Sequence, residues 1–143
     1  MSGSDISWRK AAPKKRKSKF HNKVVRLGDL TFDSKLERDR WIYLVEMERQ
    51  CRISKLLRQV PFEVVPRQEV IVPVKEMDGE VHGVPVTVEE PVRYYADFVY
   101  YRGDELVIED TKGLKTSTYI IKRKLMRLKG KPIREIKRAD EEV

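Results

Sequence analysis

One cysteine and two histidines among 143 residues exclude an intrachain disulfide, a multi-cysteine zinc site and a histidine-built metal cage. No run approaches the ~18 uninterrupted apolar residues of a membrane span, and no apolar stretch follows the first basic residues as a secretory leader requires. The expected setting is therefore the cytoplasm. A chain that is 40% hydrophobic is too apolar for a disordered polyelectrolyte. Its length suits one domain, which buries roughly 68–70% of the surface of the unfolded chain.

What the sequence has in excess is positive charge, unevenly spread. Lys and Arg number 31 against 23 Asp and Glu, a net +8. Residues 1–26 carry +8, residues 27–111 carry −7, residues 112–138 carry +10, and Asp140, Glu141 and Glu142 close at −3. The total points to a polyanion, and nucleic acid leads. A protein that only coated phosphates has little use for an acidic middle, whereas an enzyme acting on phosphates combines a basic approach with carboxylates that hold a metal.

Residues 1–19, with Lys14, Lys15, Arg16 and Lys17 in succession, read as a flexible basic arm, either solvated or in contact with nucleic acid. Residues 20–138 read as the folded domain and 139–143 as an acidic tail. A short hairpin is expected around Gly28-Asp29. Ser34 and Glu37 form a capping-box pattern that starts a four-turn helix, with Leu36, Tyr43, Leu44, Met47 and Cys51 on its core face. Ile53 to Val60 reads as a strand. The Val/Pro-rich segment 62–91 reads as a hairpin turning at Asp78-Gly79, more in keeping with a ribbon that closes a sheet edge than with an arm for DNA or for dimerisation. Two strands, Val92–Arg102 and Glu105–Thr111, join at Gly103-Asp104. A second helix from Thr116 or Ser117 to Lys129 is expected to bury Ile121, Leu125 and Leu128 and to expose Lys122, Arg123, Lys124 and Arg127. Pro132–Lys137 reads as a last strand. This order gives an α/β (α+β) domain with a mixed central sheet.

A turn at Gly103-Asp104 pairs Val99 with Ile108 and Asp97 with Asp110. Alternation then places Asp97, Asp110 and Lys112 at the end of one apolar face. Like charges opposite one another on a sheet repel, and a divalent cation relieves them best. Glu109 falls on the other face and is the weaker ligand candidate. In the bland reading the two aspartates are solvated residues neutralised by Lys112.

Asp97 followed by Asp110-Thr111-Lys112 resembles the bipartite motif of the PD-(D/E)xK nuclease superfamily. Together with Tyr94-Tyr95-Ala96-Asp97-Phe98, Glu109-Asp110-Thr111-Lys112-Gly113 and Phe32-Asp33-Ser34-Lys35-Leu36-Glu37, it resembles a small phage-encoded family of unknown function similar to Holliday-junction resolvases and phage endonuclease I. Ala96 stands where the superfamily usually has proline. The resemblance implies a restriction-endonuclease-like core of helix, mixed four-stranded sheet and helix. It also implies Mg²⁺, with Mn²⁺ as substitute, on Asp97 and Asp110, and Glu37 as a third carboxylate that competes with its own capping role. Gln59, Tyr119 and Lys122 are further candidates for substrate contact, while His21 and His82 read as incidental.

The expectation is a Mg²⁺-dependent DNA endonuclease, junction-selective if the resemblance extends that far and working in a host's cytoplasm or nucleoid if phage-encoded. Symmetric junction cleavage favours a homodimer. The alternatives are a non-catalytic nucleic-acid-binding module on the same fold and, less favoured, an assembly protein bound through the Val/Pro ribbon.

Overall fold

A computed structural model describes residues 23–143. Lys14–Lys17 and His21, read above as a basic arm and a surface histidine, lie outside the described residues. No described helix is long and apolar enough to cross a membrane. In chain order the elements are β1 (Val25–Leu27), β2 (Leu30–Phe32), α1 (Lys35–Arg49), β3 (Ser54–Val65), β4 (Gln68–Lys75), β5 (Val81–Glu89), β6 (Val92–Arg102), β7 (Glu105–Asp110), α2 (Ser117–Leu128) and β8 (Arg134–Glu135). The α+β class and the mixed sheet follow: β3, β6, β7 and β8 form one sheet in that order, antiparallel except for the parallel β7–β8 pair.

The helices lie on opposite faces of this sheet, as neighbouring residues of β7 show. Val107 packs with Leu44 and Met47 of α1, whereas Ile108 packs with Tyr119 and Met126 of α2. Both helices begin at the caps the sequence offers. Ser34 accepts the Glu37 N–H at 3.1 Å, and Thr116 accepts the Tyr119 N–H at 3.1 Å.

The buried stripes differ from expectation. On α1 they are Glu37, Arg40, Leu44 and Met47, while Leu36 and Tyr43 are half-buried. Cys51 is exposed, just past the helix end at φ +58°, and is not the buried hydrophobe expected. On α2 the buried residues are Tyr119 and Met126, and Leu125 is half-buried. Ile121 and Leu128, at 59% and 84% exposure, stand on the far side of the helix from Tyr119.

β3 runs five residues beyond its expected end, straight through Pro61 opposite Tyr95. As the sheet's outer strand it tolerates a proline whose nitrogen faces away from its neighbour. Phe62 to Val65 belong to this sheet, so the insertion is shorter than 62–91. The separate two-stranded ribbon, β4 with β5, does not close the sheet edge as expected. Residues 139–143 are no loose tail either. Buried Arg40 donates through Nη1 to the Ala139 carbonyl at 2.9 Å and the Glu141 carbonyl at 2.5 Å, and Val143 packs beside α1.

Candidate active site

The β6–β7 ladder has the register read from the Gly103-Asp104 turn, from Arg102–Glu105 through Val99–Ile108 to Phe98–Glu109. The paired ladder ends there, one step short of Asp97 and Asp110, which lie close enough for the Asp97 charge to act on Asp110. Simple alternation, however, fails at Asp97. Tyr94 and Ala96 join the α2 cluster, yet Phe98 and Tyr100, of the same parity, join the α1 cluster. The strand changes face at Asp97. Opposite, between the partners of Ala96 and Phe98, Gln59 takes the left-handed conformation at φ +50°, a strained backbone for a residue with a side chain.

Asp110 is wholly buried. Its Oδ2 accepts the Tyr94 hydroxyl at 2.7 Å, while Oδ1 has no hydrogen-bond partner and meets only Lys112 Nζ at 3.9 Å. Burial, and then the charge of Asp97, push the Asp110 carboxyl up to about 6. Asp97 Oδ2 accepts both the backbone N–H and the hydroxyl of Thr111, each at 2.8 Å, and Oδ1 accepts Gln59 Nε2 at 3.3 Å.

Glu37 divides its two oxygens. Oε2 caps its own helix by accepting the Asp33 N–H at 2.8 Å, and Oε1 faces the site, accepting Gln59 Nε2 at 3.1 Å. Capping and a place in the site are thus compatible. Burial, followed by the charge of Asp97, raises the Glu37 carboxyl above its ordinary value. Glu37, Asp97, Thr111 and Lys112 all line one open cleft of about 320 Å³.

A hard divalent cation takes oxygen ligands, and every acid here supplies them. The unpartnered, buried Oδ1 of Asp110 beside the Asp97 charge is the kind of group such a cation relieves. The donor set therefore fits a cation held by Asp97 and Asp110 and completed by water or phosphate. It does not amount to a closed cage. Among the described residues no three His, Cys, Asp or Glu side chains are gathered to hold a metal ion. Gln59's amide stands between Glu37 and Asp97, and Thr111 occupies Asp97 Oδ2.

The remaining candidates separate. Glu109 is on the other face, wholly buried, with its Oε1 and Oε2 bonded to Arg40 Nη2 and Nε at 2.6 and 2.8 Å and Oε1 to the Tyr100 hydroxyl at 2.6 Å, so it serves the core. Lys112 Nζ lies 5.8 Å from the centre of the Tyr119 ring, and Lys122 shares with both a recess of about 250 Å³. Arg123 is committed to Glu135 at 2.7 Å, while Lys124 and Arg127 are exposed. His82 sits on the ribbon, 3.5 Å from Glu76.

Sequence reasoning missed Tyr94, Thr111 and Glu135. The first two stood inside the motif blocks, but only folding reveals which carboxylate oxygen each one meets. Glu135 is paired with Asp110 across the parallel β7–β8 step and holds Lys115 at 2.5 Å, an ion pair carried by no local pattern.

No curated protein and no solved structure matches the chain. The family model described as "Protein of unknown function (DUF1064)" matches residues 17–139, nearly all of the folded part with β1 through β8, and the chain belongs to that family.

Proposed function

We propose that this chain is a metal-dependent DNA endonuclease of the PD-(D/E)xK kind, its helix–sheet–helix core being the restriction-endonuclease-like arrangement. The observation that carries the reading is the pair Asp97 and Asp110 at the open end of a hairpin, with the orphaned Asp110 Oδ1 3.9 Å from Lys112 Nζ. Asp97 and Asp110 would hold Mg²⁺, or Mn²⁺ in its place, with Glu37 Oε1 behind them. Such an ion, when bound, polarises a phosphoryl oxygen and lowers the pKa of a bound water.

The chain's own residues do the rest. Tyr94 holds Asp110 Oδ2, which leaves Oδ1 turned to Lys112. Thr111 anchors Asp97. Lys112, half-exposed at the cleft, orients the attacking water and offsets charge that develops on the phosphoryl group. Lys122 beside it, and Lys124 and Arg127 farther along α2, hold flanking phosphates. Junction selectivity and two-fold action belong to the same proposal.

One observation favours a second reading, a nucleic-acid-binding module without catalysis. Both oxygens of Asp97 and of Glu37 already accept hydrogen bonds, and the Gln59 amide ties Glu37 to Asp97. Cleavage assays separate the two. Wild type, Asp110→Asn and Lys112→Ala are incubated with branched, duplex and single-stranded DNA in Mg²⁺, Mn²⁺ or chelator. The endonuclease reading expects metal-dependent cleavage by the wild type and a loss of about 10²-fold or more in both variants. Salt-sensitive DNA binding with no cleavage in any metal would establish the binding module instead.

A further inference from the structure

β3 brings to the site a cation that lies in none of the motif blocks. Successive side chains on a strand point to opposite faces. Arg58 and Gln59 depart from this, because left-handed Gln59, at φ +50°, cancels the alternation. Both approach one oxygen. Gln59 Nε2 lies 3.1 Å and Arg58 Nη2 4.0 Å from Glu37 Oε1. The strand changes face across Gln59: Arg58 is opposite Phe98 of the α1 cluster, whereas Val60, opposite Ala96, packs against the α2 cluster.

Arg58 is fixed in place without being neutralised. Its guanidinium carbon stands 4.1 Å from the centre of the Phe32 ring and 5.4 Å from that of Trp41, and Nη2 donates to the Thr31 carbonyl at 2.8 Å. These contacts hold the plane of the group. Among the described residues the one carboxylate within 4.0 Å is Glu37, too far for a hydrogen bond and already served by Gln59.

Among the described residues two buried side-chain polar atoms lack a hydrogen-bond partner, Asp110 Oδ1 and Arg58 Nε. Each is costly to bury in that state. Both belong to this site, one beside Asp97 and the other beside Glu37. Their needs are complementary. The acceptor Oδ1 is relieved by a cation, and the donor Nε by an anion. The Arg58 side chain is 18% exposed and is followed by exposed Gln59, so its fork lies near the surface.

We propose that Arg58 is a DNA-phosphate contact of this site, its guanidinium fork taking a backbone phosphate on the Glu37 side as Lys112 does on the Asp110 side. A planar fork held on aromatic rings suits phosphate better than a mobile lysine. The contact needs a polyanion and no bond cleavage. It therefore rests on the DNA-binding part of the proposed function and not on catalysis.

Fluorescence anisotropy with labelled duplex DNA over a salt series tests it, in chelator so that neither metal nor cleavage enters. Arg58→Met keeps a long side chain against Phe32 and Trp41 without the charge. It is expected to weaken binding about tenfold and to lower the slope of log affinity against log salt by about 0.9, one phosphate contact. Its melting temperature is expected to hold, since the unpartnered donor is gone. An Arg58 that served only the fold gives the reverse, a lower melting temperature with affinity and slope unchanged, and that result overturns the proposal. If Arg58→Met fails to fold, nuclear magnetic resonance of the wild type decides. The Arg58 Nε–H signal, identified by its loss in Arg58→Lys, is expected to shift saturably as a short duplex is added, and an unmoved signal overturns the proposal. Equal binding by wild type and Arg58→Met removes this contact alone, whereas a wild type that binds no DNA removes the DNA reading along with it.

Discussion

The Tyr94 hydroxyl donates to Asp110 Oδ2 at 2.7 Å, leaving Oδ1 as the one oxygen of that wholly buried carboxylate without a partner. The division of labour is geometric. One oxygen is spent on orientation, the other is aimed at Lys112. Tyr94→Phe removes the donor and keeps the ring in its pocket beside Tyr119, so folding is expected to persist at a cost of about 1–2 kcal/mol. Affinity for Mn²⁺, read by calorimetry, is expected to fall about 10- to 100-fold, as loss of an orienting partner does at other metal sites. Equal affinity in the two proteins would remove Tyr94 from the site. No binding to the wild type would count against the metal itself.

Asp110 makes stability depend on pH in the direction opposite to most aspartates. Its carboxyl is raised from 3.8 to about 6, so between these values the folded state holds a proton that the unfolded state has released. Stability therefore falls as pH rises through this window and stays lower above it. The difference is of order 2–3 kcal/mol at neutral pH. Glu37, raised by the same two causes, adds to the trend. Asp110→Asn is expected to raise the melting temperature at pH 7.5 in chelator and to make little difference near pH 4. Thermal melts across that range check both ends, and divalent metal is expected to recover part of the loss in the wild type only.

Much of this site was legible from local chemistry. A Gly-Asp turn fixes a hairpin register, so the approach of Asp97 and Asp110 could be counted along the strands, and the two capping residues announced both helices. What could not be read were relationships set by the third dimension. The left-handed Gln59 breaks the alternation that placed Asp97 on a simple face. Helix phase was misjudged for a related reason, since Arg40 and Glu37 look like solvent-facing residues until their partners are known. Their burial is tolerable only because Glu109 and two carbonyls satisfy Arg40, and Asp33 and Gln59 satisfy Glu37.

The Arg40–Glu109 pair joins α1 to β7, the two elements that carry Glu37 and Asp110. Removing one partner strands a buried charge. Arg40→Met is expected to cost about 3–5 kcal/mol in denaturant unfolding, enough to unfold a marginal domain. The double replacement Arg40→Met/Glu109→Leu is expected to cost less than Arg40→Met alone, because no lone charge remains. It should not return fully to wild type, since the Ala139 and Glu141 carbonyls lose their donor. A double replacement no more stable than Arg40→Met would place the role of Arg40 mainly in those carbonyls.

The basic residues of α2, alike in sequence, are expected to behave differently. Arg123 is held by Glu135 at 2.7 Å and half-covered, whereas Lys124 and Arg127 are exposed with no ion-pair partner among the described residues. Lys124→Ala and Arg127→Ala are therefore expected to weaken DNA binding and to lower the slope of log affinity against log salt by about 0.9 for each phosphate no longer neutralised, with little change in stability. Arg123→Ala is expected to do the reverse. It leaves Glu135 to Lys115 and the Tyr119 hydroxyl, so the melting temperature falls while the salt slope holds. Fluorescence anisotropy over a salt series, with melts of the same samples, separates the two patterns. An equal drop in slope for all three variants would mean that DNA draws Arg123 away from Glu135 on binding.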